Sequence, residues 1–76
     1  MEMGIFRESG WKAEVEILED KSNDKEERYL LKVMKTIRES NYFGSRSDGE
    51  VFEVMASRKY RYFVDWHLEK IKIKGV

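Results

Sequence analysis

The sequence has no cysteine and no proline, and it carries a single histidine, His67. The missing cysteines exclude a disulfide scaffold, a thiolate nucleophile and thiolate metal ligation. One histidine excludes the His-rich zinc sites as well. No apolar run approaches the roughly 20 residues that cross a bilayer. The first residues, Met1 to Glu8, lack the basic start and apolar stretch of a secretory signal. The expectation is therefore a cytoplasmic protein with no membrane partner. Net charge of one sign is lacking too: 15 Lys and Arg balance 15 Asp and Glu. A global field that would draw the chain to nucleic acid or anionic lipid is absent.

What is present argues for a folded chain. Hydrophobic residues make up 41% and aromatics 13% of the 76 residues, and disordered segments are poor in both. The length allows one domain, expected to span 1–76, with 1–9 as an N-terminal arm and 11–73 as its core. A domain of this size hides only about 60–65% of the surface of its unfolded chain, so the core is small.

Two polar stretches, 19–27 and 40–49, divide the chain and read as loops. Ahead of the first, Trp11, Ala13, Val15 and Ile17 alternate with Lys12, Glu14 and Glu16, the period of a half-buried strand. After the second, Val51 to Met55 and Tyr60 to Val64 show the same alternation, joined by a tight connection over Ala56 to Lys59. Asp65 can open a short 3₁₀ turn anchored by Trp66 and Leu68. Ile71 and Ile73 then alternate with lysines in a last edge strand.

The middle segment, 28–39, supports two readings. Tyr29, Leu30, Val33, Met34 and Ile37 follow a helical period, with Asp24 and Glu27 as a capping box. Its Tyr, Val, Thr and Ile content and its strand neighbours favour a strand. The expected fold class is all-β, a small five-stranded bent-sheet barrel. The alternative is α+β, with a helix at about 24–40 packed on an antiparallel sheet. The expected core is Trp11, Ala13, Val15, Ile17, Leu31, Val33, Ile37, Phe52, Val54, Tyr62, Val64, Leu68 and Ile71.

In this order of strands and loops the chain resembles the Src-homology-3-like small β-barrels. The resemblance runs through Trp11–Ile17, the acidic loop to Asp24, Tyr29–Val33, Gly49–Val54 and Trp66–Ile71. It is a likeness of fold, without fixed motif residues, and it implies a five-strand barrel with a binding role.

Catalysis finds little material. His67 lies between Asp65 and Glu69, but no second group is matched to it. The paired carboxylates read as solvated faces, and Asp20 to Asp24 lacks a calcium-loop spacing. Neither a catalytic residue, a metal ligand nor a cofactor is assigned.

Binding is the expected role. From Arg58 onward six basic residues (Arg58, Lys59, Arg61, Lys70, Lys72, Lys74) face two acidic ones, so the neutral total is positive at this end and negative before it. Tyr60, Tyr62, Phe63 and Trp66 are interleaved there. Tyr42, Phe43 and Arg46 stand in the second loop as an apolar pair in a polar setting. The candidate binding residues are Tyr42, Phe43, Arg46, Arg58, Lys59, Tyr60, Arg61 and Trp66. The partner is expected to be another protein; the alternative is nucleic acid held by the basic aromatic end, with phosphates on cations and bases on rings.

Overall fold

A computed structural model describes residues 1–40 and 45–71. It is all-β. The five strands are β1 (Met3–Glu8), β2 (Trp11–Asp20), β3 (Glu26–Arg38), β4 (Val51–Ser57) and β5 (His67–Ile71). They form one antiparallel sheet in the order β4-β3-β2-β1-β5. The first four strands run as a meander. The chain then crosses from the β4 edge to the opposite edge, where β5 pairs with β1.

β1 and β2 are joined by Ser9 and Gly10, both at positive φ (49° and 85°). That is the two-residue turn whose twist matches the flanking strands. β2 and β3 are joined by a loop that satisfies its own amides. Asp20 Oδ1 accepts the Ser22 N–H, and Asn23 Oδ1 accepts those of Lys25 and Glu26.

Bulges shape the sheet and resolve the ambiguity of the middle segment. The β2–β3 register shifts between Lys12 and Ala13, between Glu14 and Val15, and between Ile17 and Glu19. Val33 stands opposite Val15 but Lys35 opposite Glu14, so Met34 is an extra residue. Ile37 and Leu18 are skipped in the same way. All three are exposed. The bulges turn Lys35 outward to Glu14 and set Thr36 beside the core, where its hydroxyl accepts the Trp11 indole N–H at 3.4 Å. The helical period of 28–39 is therefore a bulged strand seen as sequence. No α-helix exists among the described residues.

The core lies on one face of the sheet. Phe6, Trp11, Ala13, Val15, Ile17, Leu31, Val33, Val54, Ala56 and Trp66 are buried together, with Tyr29, Phe52, Val64 and Leu68 packed against them. Strands spaced ~4.8 Å apart would put β1 and β4 about 14 Å apart in a flat sheet. Yet the rings of Phe6 and Phe52 meet at 5.2 Å between centroids. The sheet is strongly curled. It is not closed into a barrel, however: β4 and β5 remain its two edges, and side chains rather than a backbone ladder span the gap between them. Trp66 is the principal plug. It stacks on Phe6, meets Tyr29 edge to face, and donates its indole N–H to the Met55 carbonyl at 3.2 Å.

Several expectations are corrected. Residues read as an arm contain β1, which lies between β2 and β5 and brings Met3 and Phe6 into the interior. The segment read as a strand over 60–64 is instead the crossover, with a 3₁₀ turn at Arg61–Phe63. Tyr62, expected in the core, is 95% exposed. Ile37 and Ile71 are exposed as well, the first because it is a bulge residue and the second because it sits on an edge strand. The final strand begins earlier than expected, at His67, and residues 72–74 lie outside the described ones.

Candidate binding surfaces

Two neighbouring regions hold the residues that the sequence singles out. Tyr42 and Phe43 lie outside the described residues. Arg46 reaches back over the core. Its guanidinium sits 4.0 Å from the Phe52 ring centroid, 5.5 Å from Trp11 and 5.7 Å from Phe6, and pairs with Glu8 at 2.9 Å. The planar cation covers the aromatic end of the core while its charge is met at the rim.

The crossover carries the rest. Arg58 donates its Nε–H to the Asn23 carbonyl at 2.7 Å, which ties the crossover to the β2–β3 loop. Arg61 pairs with Glu27, donates to the Trp66 carbonyl and lies 4.6 Å over the Trp66 ring. Trp66 itself is 5% exposed. Arg61 and Trp66 thus hold the crossover to the sheet. Lys59 lies 5.5 Å over the half-exposed ring of Tyr60.

The sequence reading missed the most exposed pair. Tyr62 and Phe63 are 95% and 82% exposed, and their rings meet edge to face at 5.9 Å. The strand period suggested that Tyr62 pointed inward. The short 3₁₀ turn breaks that period and carries both rings out. The available signal was the number of aromatics, more than a small core can hold.

Two surface depressions flank the open end of the sheet. One, of about 660 Å3, is lined by Lys35, Thr36, Glu39, Ser45, Arg46, Ser47 and Asp48. The other, of about 370 Å3, is lined by Arg7, Glu8, Ser9, Gly10, Trp11, Lys12, Arg38, Asp65 and His67. In the latter the Ser9 hydroxyl donates to the Asp65 carboxylate. His67 is exposed, and its ring has no hydrogen-bond partner among the described residues. Nor do three acidic, imidazole or thiol side chains among them converge as a metal site requires.

At the other end, Lys70 of β5 reaches across the open side of the sheet. It lies 3.2 Å from Asp20, 3.7 Å from Glu2 and 5.7 Å from the Tyr29 ring centroid. Hydrogen bonds from Ser22, then Lys70, hold the Asp20 carboxyl below its usual 3.8. The bond to Asp20, followed by the field of Glu2, holds Lys70 above its usual 10.5.

No helix among the described residues is long and apolar enough to cross a membrane. No protein-family model, curated protein or solved structure matches the chain.

Proposed function

We propose that the protein is a small non-catalytic binding module that engages another protein through the aromatic turn Tyr60–Phe63. The observation that carries this reading is the exposure of Tyr62 and Phe63. Neither ring helps to build the core, and each keeps a large apolar face in water. Aromatic side chains of this kind are the usual anchors of protein interfaces, with charged residues at the rim. Arg58 and Lys59 supply such a rim. The crossover is pinned by Arg58, Arg61 and Trp66, so the turn is presented on a prepared support and loses little freedom on binding.

The curled five-stranded sheet supports placing the chain among the SH3-like small β folds, whose role is binding. The absence of cysteine supports the cytoplasm as its compartment.

The test is site-specific photo-crosslinking from position 63 in cells, followed by mass spectrometry of the adduct. One dominant partner protein is expected, and it should disappear when Tyr62→Ser is combined with the crosslinker. Only scattered adducts, unchanged by Tyr62→Ser, would refute the reading. Adducts solely between copies of this chain would assign the turn to self-association instead.

A further inference from the structure

We propose that four residues brought together by the sheet register, His67, Arg7, Lys12 and Arg38, form a track for the phosphate backbone of a single-stranded nucleic acid. The site is separate from the aromatic turn and does not draw on the reading given to it.

The register makes the row. Arg7 of β1 stands directly opposite Lys12 of β2, and Lys12 opposite Arg38 of β3. On its other side Arg7 stands opposite His67 of β5. Residues directly opposite share a face, with Cβ atoms about 5 Å apart, and like charges there destabilise the sheet. The next rows show the ordinary arrangement. Glu14 faces Lys35, and Glu16 faces Lys32. The sheet therefore alternates charge where its fold alone is served, and stacks cations at one end against its own stability.

The cations in the row are also unmet. Among the described residues Arg7, Lys12 and Arg38 form neither an ion pair nor a side-chain hydrogen bond. The other four arginines are all engaged. Arg28 is held by Glu26 and Glu53, Arg46 by Glu8, Arg58 by the Asn23 carbonyl, and Arg61 by Glu27. Among the described residues, the two arginines without an ion pair or side-chain hydrogen bond are the two that share this row.

The shape selects the ligand. All four residues line the 370 Å3 depression. The two carboxylates beside them are already engaged, Glu8 by Arg46 and Asp65 by Ser9. Four strands at ~4.8 Å spacing extend the row over about 14 Å. That length lets successive phosphates of one extended strand meet successive cations of the row. A single small anion would leave most of the row unmet. A flat bilayer would not enter a depression. Guanidinium forks and an ammonium suit phosphate oxygens, and contacts of that class carry no sequence information. Binding is thus independent of base sequence.

The test is fluorescence anisotropy with labelled oligo(U) and oligo(dT) 12-mers between 20 and 200 mM salt. Three obligate cations predict a log–log salt slope of about −2. Arg7→Ser, Lys12→Ser and Arg38→Ser should each flatten the slope by about 0.7. Lys12→Glu places an acid between two arginines and should abolish binding while raising the melting temperature, a combination that loss of fold cannot mimic. Tyr62→Ser with Phe63→Ser should leave the slope unchanged, which keeps this site distinct from the protein-binding turn. No binding at 20 mM salt would overturn the proposal. So would a slope unaffected by the row variants, or retention on phosphatidylserine vesicles without oligonucleotide binding.

Discussion

Phe6 on β1 and Phe52 on β4 meet edge to face at 5.2 Å, although two strands lie between them in the sheet. The sheet curls to allow that contact, and the three bulges in the β2–β3 pairing add to the bend. Phe6 also stacks with Trp66 and touches Trp11, so one ring joins β1, β2, β4 and the crossover.

Phe6→Ala is therefore expected to cost about 3–5 kcal/mol. A domain of this size has a total stability of roughly 4–11 kcal/mol, so the variant sits at or near unfolding. Val15→Asp, which buries an unpaired carboxylate at a fully buried position, is expected to unfold the domain. Tyr62→Ala and Phe63→Ala should each stay within about 0.5 kcal/mol of the wild type. Urea denaturation followed by tryptophan fluorescence reads all four.

Gly4 of β1 leaves no room for a side chain against β5. A Cβ there would lie 2.9 Å from Leu68 Cδ1 and 3.0 Å from the Glu69 carbonyl oxygen. The leucine methyl can yield, whereas the carbonyl belongs to the β1–β5 ladder. Gly4→Ala should destabilise by about 1–3 kcal/mol, and Leu68→Ala should not rescue it. Hydrogen exchange checks the location: protection should fall first at the amides of β5.

Arg46 covers Phe52, Phe6 and Trp11 with a flat cation. Arg46→Ala should cost about 1–2 kcal/mol and increase quenching of Trp11 by added acrylamide. Arg46→Lys should recover only part of the loss, because an ammonium keeps the charge but not the planar stacking surface. Equal stability of the two variants would refute the stacking role.

The Asp20–Lys70 contact makes stability depend on pH at both extremes. Asp20 titrates lower in the folded state, so its contribution is present above about pH 4 and is lost as pH falls through the folded value. Lys70 titrates higher, so its contribution is present below about pH 10.5 and is lost as pH rises through the folded value. Asp20→Asn should melt below the wild type at pH 7. The difference should close on acidification below about pH 4, and only narrow above about pH 10.5, where the Lys70 contribution is lost while the Ser22 hydrogen bonds remain. A gap that stays constant across that range would show that the pair contributes nothing.

Much of the architecture is legible in the residues alone. The absence of cysteine excludes a thiolate chemistry whatever the fold. Trp11, Ala13, Val15 and Ile17 announce a half-buried strand because side chains alternate across a sheet, and all four are buried. Leu31, Val33 and Val54 follow the same rule. These are local properties, decided within one strand. Position across strands is not local. Met34 and Ile37 look like a helical face because the bulges that expel them depend on what β2 places opposite. Tyr62 looks inward-facing until the 3₁₀ turn rotates it out, and Trp66 becomes core because the curled sheet leaves a gap of its size. Arg7, Lys12, Arg38 and His67 are scattered along the chain, and no local period connects them. Hydrogen-bond register alone sets them in one row, and register is fixed by turns, bulges and burial acting on the whole sheet.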